Sequence, residues 1–187
     1  ANTCKMAVGF GADVTVMDLN LDKLRALDAL YGNRIHTLYA APSIIRGEIK
    51  TADLVIGAVL IHGASTPKLL KRDDLKTMIP GSVIVDVAVD QGGCFETTKA
   101  TYHSDPVFTV DQIVHYCVAN MPGAVPRTAT LALTNATHAC GLKIANLGID
   151  AAMKDDPLLR KGINICRGAC TYDKVARQFG LPCKPPA

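Results

Sequence analysis

Apolar runs of strand length alternate with helical segments over the first 120 residues. The strand-like runs are rich in Val and Ile and carry few polar residues, as in "DLVIGAV" and "GSVIVDVAV". Such continuous apolar runs are typical of a parallel sheet covered by helices on both faces, because both sides of each strand are then buried. The pattern predicts an α/β fold with strands over 12–18, 34–39, 53–59 and 83–90, a further β-rich segment over 107–120, and helices over 21–30, 43–50 and 72–78.

The alternation ends at "MPGAVP" (121–126), where two Pro residues and a Gly interrupt it. The segment that follows, 127–148, predicts one long helix with a Gly at its end. Two shorter helices are expected after it, the last of them over 171–180. We therefore divide the chain into a sheet domain over residues 1–120 and a helical extension over residues 121–187.

Composition and charge exclude several classes of protein. With 49% hydrophobic and 20% charged residues the chain can bury a core, and a net charge of +3 without blocks of like charge gives no reason to expect a nucleic-acid partner. The longest apolar run, at 54–61, is far shorter than the roughly 20 residues that span a bilayer, so we expect no membrane anchor.

Seven Cys residues, an odd number without a CxxC pair, are typical of reduced thiols in a cytoplasmic protein. The spacing of Cys166, Cys170 and Cys183 matches no common zinc site, and we expect no bound metal.

Acidic residues stand at the ends of two predicted strands, where open parallel sheets bind ligands. Asp18 lies where an acid would bond the ribose hydroxyls of a dinucleotide and repel a 2′-phosphate, which favours NAD over NADP. The alternative is an exposed strand-end acid without a ligand. The glycine fingerprint that normally precedes such an acid is not in the chain. Because residues 1–11 resemble the helix after that fingerprint, we expect the sheet to lack its first strand.

Four longer segments carry a resemblance to a known family: "KMAVGFGADVTVMDLNLDKLRALD", "ADLVIGAVLIHGA", "GSVIVDVAVDQGGCFETT" and "HYCVANMPGAVPRTATLALTNAT". They closely resemble the NAD-dependent alanine dehydrogenases, and the similarity covers essentially all 187 residues. The related nicotinamide nucleotide transhydrogenase domain shares the architecture but fits the DQGGCFET and CVANMPGAVP segments less well.

The resemblance implies a fold, an activity and an assembly. The fold is a Rossmann-like sheet whose helical extension belongs to the substrate domain. The activity is the reversible oxidative deamination of L-alanine to pyruvate and ammonia, with hydride passing to NAD. The assembly is a homo-oligomer, a hexamer in the family, in the cytoplasm.

The resemblance also implies a set of site residues at strand ends and in the loops after them. Asp18 corresponds to the ribose-binding acid and Lys23 to a contact on the adenosine side. Asn120 corresponds to a residue near the nicotinamide, and Asp90 to a catalytic residue. The cofactor-binding set implied by the family is Asp18, Lys23, Val59, Leu60, Val87, Ala88, Val89, Asp90, Lys99, Val118, Asn120 and Met121.

The chemistry of the reaction gives a physical reason for an acid at position 90. Hydride loss from the α-carbon of alanine leaves an iminium, which water must attack, so the site needs a proton acceptor and negative charge. A carboxylate on a rigid strand end supplies both, and Gly92 and Gly93 let the backbone turn away. The alternatives are that Asp90 only caps a turn, or that Asp86 takes the catalytic role.

The chain also departs from the family pattern. Ala40 and Ala41 replace a stretch that usually carries Ser, and Lys99 stands where the family usually has an Arg. His62 and Ser65 stand at positions that usually hold Pro and Lys. The family's amino-terminal domain, with its substrate-binding Arg and its catalytic Lys and His, is not in these residues. We therefore also consider a noncatalytic NAD-binding or oligomer-forming chain, or a transhydrogenase-type domain.

Overall fold

A computed structural model describes residues 1–59 and 66–184 of the chain. These residues form helices and strands in the following order: α1 (Asn2–Gly9), β1 (Thr15–Asp18), α2 (Leu21–Tyr31), β2 (His36–Tyr39), α3 (Pro42–Glu48), β3 (Leu54–Gly57), α4 (Arg72–Leu75), β4 (Val83–Asp86), β5 (Val107–Val110), β6 (Ile113–Tyr116), α5 (Pro126–Leu147), α6 (Ile149–Asp155), α7 (Pro157–Lys161), β7 (Ile165–Cys166), β8 (Ala169–Cys170) and α8 (Asp173–Phe179). The alternation of strands and helices predicted for the first 120 residues is confirmed.

The strands pair in the order of a doubly wound sheet. β1 pairs with β2 in parallel, and β4 lies between β3 and β6, again in parallel. Among the described residues, β1 and β2 form one two-stranded parallel sheet, and β3, β4, β6 and β5 form a second sheet in that order, as expected for parts of a Rossmann-like sheet. This arrangement confirms the expected Rossmann-like sheet.

One apolar core joins the two groups of strands. Ile45 of α3 and Ile49, which follows the end of that helix, are buried in the cluster that also contains Ile84 of β4. Met17 from β1 and Val55 from β3 both pack against it. Because side chains from both groups of strands share this core, burial of apolar surface stabilises their placement without a backbone ladder between them.

The β-rich segment predicted over 107–120 contains a hairpin of two strands. β5 runs antiparallel to β6 at the edge of the sheet. The two residues between them, Asp111 and Gln112, have φ angles of 49° and 66°. Type I′ two-residue hairpin turns require positive φ at both positions and favour Asn, Asp or Gly followed by Gly. Asp111 suits the first position, but Gln112 is unusual at the second, so the sequence gives only a weak turn signal.

The fourth predicted strand also ends earlier than expected. β4 stops at Asp86, and Asp90 lies on a 3₁₀ turn at Val89–Gln91 instead of on the strand itself. Gly92 and Gly93 then adopt φ angles of 86° and 76°, which reverse the direction of the chain. Asp90 is therefore held by a turn and not by a strand ladder.

The long helix predicted over 127–148 is confirmed as α5, a 22-residue helix that ends at Gly148. Three helices follow it instead of the two predicted, together with the short antiparallel pair β7 and β8. None of the residues of α5 is buried, whereas Ala152 and Met153 of α6 are. Among the described residues, no helix combines the length and apolarity needed to cross a membrane.

Candidate functional site

Residues predicted to bind a cofactor gather at the carboxyl edge of the sheet. Because β3, β4 and β6 are parallel, the segments that leave them meet at one edge, and they carry Val59, Asp90 and Asn120. Asp18 is the last residue of β1, and the order of a doubly wound sheet brings the end of that strand to the same edge. The structure thus gathers residues separated by about a hundred positions in the sequence.

Asp18 is built into the turn that starts α2. Its Oδ1 accepts a hydrogen bond from the backbone N–H of Asn20 at 2.9 Å. The Oδ1 of Asn20 in turn accepts from the N–H groups of Asp22 and Lys23, which caps the helix. Asp18 is half-buried and Lys23 is exposed. The carboxylate therefore has a fixed position beside the amino terminus of a helix, a common place for nucleotide recognition.

Asp90 is exposed at the tip of a tight turn. The turn closes through hydrogen bonds from the N–H groups of Gln91 and Gly93 to the carbonyl of Ala88, at 2.9 and 3.0 Å. The side chains of Ala88 and Val89 are buried and anchor the turn to the core. The Asp90 carboxylate is consequently solvent-accessible, while buried neighbouring side chains anchor the backbone that carries it.

The carboxylate of Asp86 is completely buried beneath that turn. It accepts hydrogen bonds from the N–H of Ala88 at 3.0 Å, the N–H of Cys94 at 2.7 Å and the hydroxyl of Thr98. The ammonium group of Lys68 contacts the other face of the loop, where it donates to the carbonyls of Gly92 and Gly93. Sequence reasoning missed Lys68 and Thr98. The only local signal for this network is an acid inside an apolar run, because buried charges persist only when they are satisfied.

The remaining predicted residues differ in how accessible their side chains are. Val87 is 48% exposed and its N–H donates to the carbonyl of Gly57 at 2.8 Å. Val59 is half-buried against the core, and Val118 is fully buried. Leu60 lies outside the described residues.

The loop after β6 presents Asn120 in the left-handed region, with φ 54°. Its carbonyl accepts hydrogen bonds from the N–H of Gly123 and is joined to Nε2 of His103 at 3.1 Å. Met121 beside it is half-buried, and Lys99 is exposed. The Asn120 side chain is exposed and can reach a ligand at the edge of the sheet.

Two of the departures from the family pattern lie in the described residues at the start of α3. Ala41 is the N-cap of that helix and supplies no side-chain hydrogen bond, whereas a Ser would offer a hydroxyl. Ala40 packs against the core. Two further departures, His62 and Ser65, lie outside the described residues.

Two buried polar atoms near Asp90 lack a hydrogen-bond partner among the described residues: Oγ1 of Thr66 and Oε1 of Gln91. The N–H of Thr66 donates to the Gln91 carbonyl at 3.2 Å, so the two residues are neighbours. Unsatisfied buried acceptors are costly unless a ligand or water supplies a donor. A carboxamide, such as that of a nicotinamide, carries N–H donors of the required kind.

The cysteines near the site are poor nucleophiles. Burial raises the pKa of both Cys94 and Cys117 to about 11, and the charge of Asp86 adds to the effect. Their thiols therefore remain protonated near neutral pH. All seven cysteines are free, and the described residues hold no group of three or more His, Cys, Asp or Glu side chains that could bind a metal.

His115 is a fully buried histidine on β6. Its Nδ1 lies 2.9 Å from the carbonyl of Ile113 and its Nε2 lies 2.8 Å from the hydroxyl of Thr97. Nδ1 donates to the carbonyl, which can only accept; in the neutral ring with this tautomer, Nε2 accepts from the Thr97 hydroxyl. The ring also stacks on Phe108 at a centroid distance of 4.9 Å. These contacts explain His115 as a structural residue of the sheet.

Burial lowers the pKa of His115 below its ordinary value of 6.5, against a smaller opposite effect of the Ile113 carbonyl. The stability from a neutral buried imidazole is fully present above pH 6.5 and is lost as the pH falls below that value, because the unfolded chain then binds the proton first.

We expect the unfolding free energy to decrease from pH 7 to pH 5 less steeply in His115→Gln than in the wild type. Urea unfolding at pH 5, 6 and 7 measures the slopes, with His138→Gln, an exposed helical position, as the control; equal slopes in all three proteins would contradict this role.

The sheet order and the acids at its carboxyl edge define a Rossmann-like α/β domain, the class that binds dinucleotides at this edge. Residues 1–173 match the family model described as "Alanine dehydrogenase/PNT, C-terminal domain". The chain belongs to this family.

Individual relatives agree with the family match. The chain is 50% identical over 180 residues to an alanine dehydrogenase of Halomonas elongata, covering 96% of the chain and 48% of the relative. A solved structure titled L-alanine dehydrogenase superposes with a TM-score of 0.83 at 45% identity, covering 94% of the chain and 48% of that structure. A transhydrogenase structure from Sinorhizobium meliloti gives 0.59 at 28% identity, covering 69% of the chain and 36% of that structure. The chain spans about half the length of the curated relatives it matches.

Proposed function

We propose that this chain is the NAD-binding, carboxyl-terminal part of an alanine dehydrogenase, which interconverts L-alanine with pyruvate and ammonia. The observation that carries the proposal is the pair of carboxylates Asp18 and Asp90 after two strands of one doubly wound sheet, in a chain 50% identical to an alanine dehydrogenase. One acid serves nucleotide recognition and the other serves chemistry. NAD, when bound, supplies the hydride acceptor.

The cofactor would lie along the carboxyl edge of the sheet. Asp18 would bond the ribose hydroxyls, with Lys23 on the adenosine side. Oε1 of Gln91 and Oγ1 of Thr66, which have no hydrogen-bond partner among the described residues, would take hydrogen bonds from the nicotinamide carboxamide, which would offset the cost of burying them. Asn120 would lie beside the nicotinamide. The remaining predicted contacts in this set are Val59, Leu60, Val87, Ala88, Val89, Lys99, Val118 and Met121.

Asp90 would act as the proton acceptor at the reacting carbon. Oxidation of the α-carbon produces a positively charged iminium, and water must lose a proton as it attacks. An exposed carboxylate on an anchored turn can accept that proton and stabilise the positive charge without reorganising. The alternative role of Asp90 as a mere turn cap receives little support from the structure, because the hydrogen bonds that close its turn come from the backbone.

We further propose that the protein works as a homo-oligomer, a hexamer in line with the family, in the cytoplasm. Support for assembly comes from α5, which exposes the large apolar side chains of Leu131, Leu133 and Leu142. Apolar surface of this kind on a helix without buried residues is typical of a face covered by another part of the protein or by another subunit.

NADH formation at 340 nm, measured on the protein at its natural length with L-alanine and NAD, tests the function. NADP in place of NAD is the control for cofactor choice, and the 187-residue chain measured alone shows whether it suffices. Alanine-dependent reduction of NAD supports the proposal. Nucleotide binding without alanine turnover would favour a noncatalytic nucleotide-binding chain, and hydride exchange between NADH and an NADP analogue would favour a transhydrogenase-type domain.

Replacing Asp18 by Ala is expected to lower the preference for NAD over NADP, because the carboxylate that repels a 2′-phosphate is then gone. The measurement is the ratio of kcat/KM for the two cofactors. Asp18→Asn is the matched control for the turn, since its amide oxygen still accepts from the Asn20 N–H. If the negative charge of Asp18 sets the cofactor preference, both variants lose discrimination between NAD and NADP. An unchanged kcat/KM ratio in both variants would mean that Asp18 does not select the cofactor.

A further inference from the structure

We propose that Asp86, together with Thr98 and Lys68, is a positioning device that sets the place of the Asp90 carboxylate. The inference rests on the proposed function, because it assigns roles around the proposed catalytic acid. It concerns three residues that would touch neither substrate nor cofactor. They act on Asp90 through the backbone of the loop that carries it.

The Asp86 carboxylate holds both ends of the Asp90 loop. One oxygen accepts from the N–H of Ala88 at the start of the loop, and the other accepts from the N–H of Cys94 at its end. Thr98 donates its hydroxyl to that second oxygen. A fully buried carboxylate is costly to desolvate, and three donors converging on it offset that cost only while the loop keeps this conformation.

Lys68 binds the carbonyl groups of the Asp90 loop, whereas Asp86 binds its N–H groups. Both glycines of the loop have positive φ, and their carbonyls accept hydrogen bonds from the Lys68 ammonium. The carboxylate of Asp86 thus binds N–H groups of the loop and the ammonium of Lys68 binds its carbonyls. With both kinds of backbone group satisfied by fixed charges, the Ala88–Cys94 segment has little freedom to move Asp90.

Gly93 shows how closely the device is packed. A Cβ added at this residue would lie 2.4 Å from the Cγ2 of Thr98 and 2.6 Å from the Oδ2 of Asp86. The loop backbone therefore rests directly on the two side chains that bond it. Such close support is what fixes a reacting group to within a fraction of an ångström, which is the precision that catalysis requires.

Thr98→Val and Thr98→Ser form a matched pair for the test. Val keeps the shape of Thr but removes the hydroxyl, whereas Ser keeps the hydroxyl. In the protein at its natural length, we expect Thr98→Val to lower kcat for L-alanine oxidation about 10-fold with the KM for NAD within about twofold, and Thr98→Ser to restore most of the rate. Thr77→Val is the control, because Thr77 is exposed and its hydroxyl bonds a backbone carbonyl outside this loop.

Amide hydrogen exchange over residues 87–98 gives a second readout that needs no turnover. We expect faster exchange at Ala88 and Cys94 in Thr98→Val than in Thr98→Ser or Thr77→Val. Asp86→Asn should have a larger effect, at least about 100-fold on kcat, because one of its two ends must place an NH₂ group against a backbone N–H.

Unchanged kcat and unchanged exchange in Thr98→Val would overturn the proposal, as would an equal loss in Thr98→Ser. Faster exchange with normal kcat in Thr98→Val would mean that the network has only a structural role, and this result would also overturn the proposal. If the wild type fails to oxidise alanine, the proposed function fails separately. Exchange in the Thr98 pair then still decides whether this network orders the Asp90 loop.

Discussion

Asp90→Asn is expected to lower kcat for L-alanine oxidation by on the order of 100-fold or more, while NAD still binds. Asn has the size of Asp but cannot accept a proton, and the turn that carries residue 90 is closed by backbone hydrogen bonds that the substitution leaves intact. Steady-state kinetics and NAD binding by calorimetry measure the two effects. The loss should appear in kcat and not in the dissociation constant for NAD.

A control substitution separates this result from a general effect of removing an acid. Asp53 is exposed and directly precedes β3, at the opposite end of the strand from the proposed site. Asp53→Asn keeps the backbone carbonyl that accepts from the Val83 N–H. We expect near-normal turnover in this variant. Near-normal turnover in Asp90→Asn as well would remove Asp90 from the catalytic role.

Gly93→Ala is expected to destabilise the fold by about 2–5 kcal/mol. The residue has φ 76°, where an L side chain costs about 1–2 kcal/mol. The added methyl group would also meet Thr98 and Asp86 at less than 3 Å, and relieving such overpacking typically costs about 1–3 kcal/mol further. Thermal and urea unfolding at one fixed protein concentration measure the loss.

Gly92 provides the comparison within the same loop. It has a similar φ of 86°, but a Cβ added there meets no atom within 4 Å. Gly92→Ala should therefore show the backbone strain alone, about 1–2 kcal/mol. Equal losses in the two variants would mean that backbone strain explains both, and that Gly93 is not needed for close packing on Asp86.

Local signals in the chain were sufficient for most elements of the fold. The helix at α5 follows from a Pro before it and a Gly after it, and the strand at β3 follows from its uninterrupted apolar run. The position of Asp18 at the end of β1 follows in the same way. These signals are readable because helix caps and buried strands depend on residues close together in the sequence.

The local sequence pattern did not predict two features of the backbone, the end of β4 and the turn after β5. The apolar run through Val89 predicted a strand up to Asp90, yet β4 ends at Asp86 because that carboxylate bonds the N–H of Ala88 and bends the chain. The hairpin after β5 turns at Asp111 and Gln112, and Gln is not a typical residue for the second position of such a turn. In both cases tertiary contacts stabilise a backbone conformation that local propensity does not favour.

By itself, the sequence determined the α/β class and the long helix, and it predicted the two acids proposed for nucleotide and substrate. Only the tertiary structure decided how Asp90 is held. Lys68 and Thr98 come from segments on either side of β4 and meet the same loop, and no spacing or periodicity predicts that meeting. The physical reason is that the N–H and carbonyl groups of a tight loop must be satisfied, and which side chains satisfy them depends on how distant segments pack.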